Sequence, residues 1–305
     1  MLLSLNRRRR RRLRTQTCAL NTERLKGAPL TVRDALSEAT EALKYAAERP
    51  RLEAEILLAH HLGCDRAMLL LRDGDKLADP EGFRGMIRRR KAHEPVEYIT
   101  GRVSFYGEEF FVAPGALIPR PETELLVDEA STLIRERGIT RVAEIGVGSG
   151  AVSVTLARLF PRLKIIATDI SPEALAVARE NVKRFGLEER IELRESSLLD
   201  GVEAVELIVS NPPYVSEGTP LAPNVAEYEP ATALYAPGDG TELLRRIVEL
   251  GRDRKVLAVC EMGYDQRAPM EEWFREEGIE HYRFYRDLAG LDRGFVVPFG
   301  HEIKS

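Results

Sequence analysis

The residues best suited to chemistry are Ser210, Asn211, Pro212, Pro213 and Tyr214. They follow an apolar run, Val205 to Val209, that reads as a buried parallel strand. The motif therefore sits at the carboxyl end of a strand, where open α/β sheets bind their ligands. The two prolines fix φ and have no N–H to donate, so the backbone is stiff and its carbonyls are free to face a ligand. The Asn211 side-chain oxygen and the Pro212 carbonyl form a pair of fixed acceptors. They suit a planar NH2 group, whose delocalised lone pair makes it a poor nucleophile. Holding both of its N–H groups turns that lone pair toward an electrophile. Tyr214 adds a flat face for stacking. Taken alone, the same residues also read as a rigid Asn-Pro turn after a strand.

The elements that must position this motif begin at Arg141, where strands and helices alternate as in a doubly wound sheet. A strand over Val142–Ile145 runs into Gly146, Val147, Gly148, Ser149 and Gly150, then into a helix through Val154, Leu156 and Leu159. Glycines at such a turn let a ligand approach the backbone. The spacing differs from the dinucleotide fingerprint, which weakens a nicotinamide reading. A second strand, Lys164–Thr168, ends at Asp169, the place of an acid that binds a ribose diol or helps to cap the helix begun by Ser171-Pro172. A third strand, Ile191–Arg194, precedes Ser196, Ser197 and Leu198. Ser216 to Gly240 is a long Pro- and Gly-rich connection, expected as a lid or substrate loop. A helix over Glu242–Leu250, a fifth strand over Val256–Cys260 with Glu261 at its end, and a helix over Gln266–Glu277 follow. Two late strands, Tyr282–Asp287 and Gly294–Pro298, close the chain. Two closing strands after five β-α units suit the methyltransferase variant of the sheet, with an antiparallel last strand. They do not suit the equal halves of a dehydrogenase.

Upstream, residues 31–94 read as a small helical domain. Thr31 with Asp34 forms a cap, and apolar positions follow at helical spacing. Asp79-Pro80 starts a further helix that ends in the basic cluster Arg88 to Lys91, a solvated face or a contact for an acidic or RNA-bearing partner. Residues 95–121 are rich in aromatic and β-branched types with Gly at turns, as in a β-hairpin linker. The segment Leu117 to Glu124 (L-I-P-R-P-E-T-E) is held extended by its two prolines. Thr123 is placed to cap a helix over Glu124–Arg137. Residues 122–305 complete the catalytic domain, and residues 1–30 are expected to be a disordered Arg-rich extension. Its run Arg7 to Arg12 also admits a targeting segment or a nucleic-acid-binding arm.

Composition narrows the choices. The chain has 305 residues and a net charge of −4, but seven arginines lie within residues 1–14, which leaves −11 on the remainder. So acidic a body is a poor sequence-independent DNA binder. Three scattered cysteines and five histidines make no disulfide framework and no metal-ligand spacing, as expected for a reduced, cytoplasmic protein. No stretch is long and apolar enough to span a membrane.

From about Ala35 to Phe299 the chain resembles the bacterial-type peptide chain release factor glutamine methyltransferases. Four segments carry the resemblance: E-P-V-E-Y-I-T-G with F-Y-G-E-E-F, I-P-R-P-E-T-E, S-N-P-P-Y, and E-Y-E-P-A-T-A-L with G-D-G. The resemblance implies a seven-stranded, Rossmann-like class I methyltransferase domain behind a helical-bundle domain that docks the release factor. It implies transfer of a methyl group from S-adenosyl-L-methionine to the N5 amide nitrogen of the glutamine in the Gly-Gly-Gln loop of class 1 release factors, in a monomer with no direct DNA contact. By position it assigns Gly146 to Gly150 to the methionine part of the cofactor, Asp169 to the ribose, and Ser197 and Leu198 to the adenine. Asn211, Pro212, Pro213 and Tyr214 hold the glutamine amide, and Phe105 and Arg120 line the cleft. The chain departs from the family pattern at Glu144, where Asp is usual, and at Val147, Ser197 and Leu198. The rivals are an adenine amino-methyltransferase with a flipped base, a nicotinamide-dependent oxidoreductase, and a silent binding protein that keeps the fold.

Overall fold

A computed structural model of the chain describes residues 30–202 and 204–300, so the arginine run lies outside the described residues. The chain divides into two compact units after Val96.

The first unit is helical. Its helices are Val32–Leu43, Pro50–His61, the short Met68–Leu71, and Pro80–Lys91. Thr31 caps the first by accepting from the Asp34 amide at 3.2 Å. Asp79 caps the last by accepting from the Gly82 amide at 2.9 Å. The apolar stripes meet in a core of Val32, Leu36, Leu43, Leu57, Leu58 and Phe83. The basic cluster is mostly satisfied within this unit: Arg88 pairs with Glu81, Arg89 with Glu94 and the buried Arg90 with Glu53. Arg88 and Arg89 nonetheless stay solvent-exposed, and only Arg90 is enclosed.

The second unit opens with the helix Val96–Thr100 at the division and a hairpin of β1 (Arg102–Phe105) and β2 (Glu108–Phe111). The hairpin is packed into this unit rather than suspended as a linker. Phe105 and Phe110 join the main core, and Asn181 clamps β2 from a helix. Its Oδ1 accepts from the Phe111 amide, and its Nδ2 donates to the Phe111 and Ser149 carbonyls, each at 2.8 Å.

The main sheet has seven strands: β3 (Arg141–Ile145), β4 (Lys164–Asp169), β5 (Ile191–Glu195), β6 (Leu207–Ser210), β9 (Leu257–Glu261), β10 (Arg283–Arg286) and β11 (Asp292–Pro298). Their order is β10-β11-β9-β6-β3-β4-β5. All pairings from β9 to β5 are parallel, and β11 runs antiparallel to both neighbours. The expected antiparallel last strand is present. Side chains alternate between the faces. Val142, Leu207, Val209, Leu257 and Val259 pack with the helices Glu124–Arg137, Ala151–Leu159 and Pro172–Arg184. Ala143, Ile145, Ile208, Ala258 and Cys260 pack with the helices Glu242–Arg254 and Arg267–Glu276. The chain builds outward from β3 to β5, then returns to place β6 on the other side of β3. That switch point opens a crevice at the carboxyl ends of β3 and β6.

The connection after β6 is more ordered than its Pro and Gly content suggested. It holds the helical turns Pro223–Ala226 and Ala231–Leu234 and a small parallel pair, β7 (Val215–Ser216) with β8 (Tyr235–Ala236).

Asn181→Ala removes the three hydrogen bonds of a fully buried side chain at once. It is expected to cost about 2–4 kcal/mol of stability, measured by urea unfolding of the full chain.

Candidate active site

The parallel register brings the ends of four strands level. Ile145 pairs with Thr168 and with Ser210, and Ser210 pairs with Cys260. One residue further along each strand are Gly146, Asp169, Asn211 and Glu261. The first three border a cavity of about 290 Å3. Its remaining walls include Gly148, Ser149, Ile170, Ser197, Leu198, Arg120 and Pro213.

The glycine turn is built for close approach. Gly146, Gly148 and Gly150 all have positive φ, at +75°, +54° and +81°. A Cβ at Gly148 would meet nothing, so there the backbone conformation demands glycine. A Cβ at Gly150 would press on Ala178 at 3.3 Å, so there packing demands it as well. Asp169 locks the turn: Oδ2 accepts from the Gly148 amide and Oδ1 from the Ser171 amide, each at 3.0 Å. The acid thus braces both the glycine turn and the next helix start, with its carboxylate still on the cavity wall. The Ser171 hydroxyl supplies the helix cap, accepting from the Ala174 amide at 3.1 Å. Leu198 holds a positive φ of +51°, and its carbonyl accepts from the Thr168 hydroxyl at 2.7 Å.

Glu144 lies beneath this turn, almost wholly buried. Burial pushes its carboxyl up to about 8, opposed by hydrogen bonds from the Ser153 amide and hydroxyl. The extra methylene, where Asp is usual, carries the carboxylate across to the first turn of the helix Ala151–Leu159.

Beside the glycine turn, Asn211 and Pro213 line the cavity from the end of β6, while Pro212 is buried and Tyr214 lies off the lining. Asn211 Nδ2 donates to the Thr123 hydroxyl at 3.1 Å. Thr123 does not cap its helix, as its position in the sequence suggested. Its hydroxyl makes no cap bond. Burial pushes the nearby Glu261 carboxyl up to about 7. Tyr214 donates to Glu261 Oε1 at 3.3 Å, and burial raises the phenol well above its ordinary value. The Tyr214 carbonyl is held by Gln266 Nε2 at 2.9 Å. A Cβ at Gly240 would strike that carbonyl at 2.2 Å, which gives the G-D-G segment its physical requirement.

Arg120 lines the cavity and pairs with the buried Glu229, whose other oxygen accepts from the Ile118 amide at 3.0 Å. The L-I-P-R-P and E-Y-E-P segments thereby clasp each other. Phe105 is placed differently from expectation. It is 1% exposed, sits edge-to-face on Phe110 at 6.0 Å, and takes no part in the cavity wall. A hairpin aromatic carries no mark in the sequence of which side of the fold it will fill. Thr123, Glu229, Glu261 and Gln266 were not singled out as site residues; only the position of Glu261 at a strand end hinted at a role.

A seven-stranded sheet with an antiparallel β11, a glycine turn after β3 and an acid after β4 define a class I methyltransferase. The fold is shared with the catalytic domain of hMettl16 in complex with MAT2A 3′UTR hairpin 6, at a TM-score of 0.53, 18% identity, and coverage of 70% of this chain and 82% of that one. Family descriptions agree: PrmC N-terminal domain matches residues 34–101 and Methyltransferase small domain residues 122–228. Release factor glutamine methyltransferase of Koribacter versatilis is 38% identical over 278 residues, 88% of this chain and 98% of its own. That of Geobacter sulfurreducens is 42% identical over 256 residues, 81% and 88%. This chain belongs to the release factor glutamine methyltransferase family.

The buried acid has a consequence for stability. The folded value of Glu144, about 8, lies above the ordinary 4.5 of the unfolded chain. The folded state therefore binds this proton more tightly. That contribution is fully present below the unfolded value and is lost as pH rises through the folded one. Melting temperature is expected to fall as pH is raised across this window, and less steeply in Glu144→Gln.

Proposed function

We propose that this protein transfers a methyl group from S-adenosyl-L-methionine to the side-chain N5 nitrogen of the glutamine in the Gly-Gly-Gln loop of class 1 peptide chain release factors. The observation that carries this reading is the shared cavity: a glycine turn, an acid and Asn211, brought side by side by neighbouring strand ends, all line one space. The cavity residues fit the cofactor. Gly146 to Ser149 offer backbone to its charged amino-acid part, the Asp169 carboxylate suits a diol, and Ile170, Ser197 and Leu198 suit a flat base. Bound there, adenosylmethionine supplies a methyl on a positively charged sulfur.

Every other requirement falls to this chain. Asn211 Oδ1 and the Pro212 carbonyl accept the two N–H groups of the glutamine amide and orient its nitrogen. Tyr214 and Pro213 confine the amide plane. No strong base is needed before attack, because the nitrogen sheds its proton after the new bond forms. Arg120, fixed by Glu229, stands at the substrate side of the cavity. The helical unit serves as the docking domain, and the enzyme acts as a cytoplasmic monomer. No helix among the described residues is long and apolar enough to cross a membrane. The acidic body disfavours a nucleic-acid substrate.

The test offers labelled adenosylmethionine in parallel with an intact release factor, its Gln→Ala loop variant and undermethylated DNA. Label is expected on the intact factor alone; label on the DNA would overturn the reading. Asn211→Ala is expected to lower turnover on the order of 10²-fold, the scale for losing one oriented electrostatic contact. Near-normal turnover in that folded variant would refute its role.

A further inference from the structure

The proposed substrate is one side chain of a whole protein. A cavity of about 290 Å3 admits that side chain and little else of its owner. The rest of the substrate protein must lie on the rim, at the carboxyl ends of the strands. Two turns build part of that rim. One follows β9 and covers residues 263–266; the other joins β10 to β11 and covers residues 287–291. β11 runs antiparallel to β9 with Gly294 opposite Glu261. The start of β11, and the turn before it, therefore project past the same edge as Asn211. β11 is two strands away from β6, about 10 Å at the usual strand spacing.

Both turns are braced, to each other and to the N-P-P-Y motif. Gln266 Oε1 accepts from the Gly263 amide at 2.9 Å, while its Nε2 donates to the Tyr214 carbonyl at 2.9 Å. Asp287 Oδ1 accepts from the Ala289 and Leu291 amides at 2.9 and 3.0 Å, and its Oδ2 accepts from Arg293 at 2.8 Å. The Met262 amide donates to the Arg293 carbonyl at 2.9 Å, and Arg267 donates to Asp292 at 3.2 Å. These last two bonds tie one turn to the other.

The braced turns hold apolar side chains out in solvent. Leu288 is fully exposed, Tyr264 is 60% exposed and Leu291 41%. The second turn needs Asp287 for its hydrogen bonds and Gly290 for its φ of +81°, but nothing in its geometry asks for leucine at 288. A lone exposed apolar residue is ordinary; three on two linked turns beside the mouth of a site form a patch. The cations there are already engaged, Arg293 by Asp287, and Arg267 and Arg286 by Asp292. A phosphate backbone would call for free cations, so this rim suits an apolar protein surface instead. Fixing the side chains before contact lowers the ordering cost of binding.

Resting on the proposed reaction, we propose that Tyr264, Leu288 and Leu291 form a docking surface for the release factor, meeting apolar side chains on the face that carries its glutamine loop. The surface lies in the second unit and adds to any docking by the helical unit. It touches no reacting atom, so it holds substrate and transition state alike and acts on KM rather than kcat.

The test measures kcat and KM for the intact release factor in wild type, Leu288→Ser, Tyr264→Ala, the double variant and Leu159→Ser. Leu159 is also an exposed leucine, but it ends the helix that begins at the glycine turn and so lies toward the opposite edge of the sheet. Cofactor affinity and melting temperature are checked for each. Leu288→Ser and Tyr264→Ala are each expected to raise KM about 5-fold, and the double variant further, with kcat and cofactor affinity held. Leu159→Ser is expected to leave KM unchanged. An unchanged KM in the folded double variant, an equal rise in Leu159→Ser, or a fall in kcat alone would sink the docking surface and leave the reaction assigned. If Tyr264→Ala does not fold, Leu288→Ser decides alone. A wild-type enzyme that labels DNA, or no release factor, would overturn both the reaction and the surface.

Discussion

The catalytic end of this protein depends on the register of its parallel strands. Ile145, Thr168, Ser210 and Cys260 are paired in one row across β4, β3, β6 and β9. The next residue on each strand is Gly146, Asp169, Asn211 or Glu261. Because side chains alternate with a period of two, slipping one strand by a residue would exchange a cavity group for a core group. The apolar residues just below the row, split between the two faces of the sheet, make such a slip costly. The core thus protects the site by protecting the register.

Two carboxyl groups beneath the cavity illustrate different uses of burial. Glu144 is enclosed and spends its hydrogen-bonding capacity on Ser153, tying β3 to the helix that follows the glycine turn. Glu261 is enclosed but accepts only from the Tyr214 hydroxyl and keeps one buried oxygen without a partner. Both are pushed upward mainly by desolvation. Glu144 thus braces a strand against the following helix, whereas Glu261 holds a buried oxygen that no hydrogen bond satisfies.

The segments that flank the cavity are held by pairs distant in sequence. Arg120 and Ile118 meet Glu229. Gln266 meets the Tyr214 carbonyl beside Gly240, where no side chain fits. Asn181 joins the hairpin to the glycine turn. Each clasp joins a loop that carries proposed substrate or cofactor contacts to the rigid sheet or its helices. Loops so rich in Pro and Gly are ordered here by side-chain bonds to their backbone, which compensate for the regular ladders they lack.

Much of this was legible in the chain itself. The strand-helix alternation, the helix Glu124–Arg137, the caps at Thr31, Asp79 and Ser171, the glycine turn, and N-P-P-Y after an apolar strand all follow from local rules of period, capping and punctuation. Those rules act over a few residues, so sequence alone determines which elements form and which motifs end them. Tertiary structure alone decided that the hairpin packs into the second unit, that Phe105 is core, and that Glu229 secures Arg120. It also decided that the Thr123 hydroxyl meets Asn211 rather than capping its own helix. Those contacts join residues far apart along the chain, and no periodicity encodes them. Thr123 and Asn211 lie 88 residues apart, and only the folded sheet brings the carboxamide within reach of the hydroxyl.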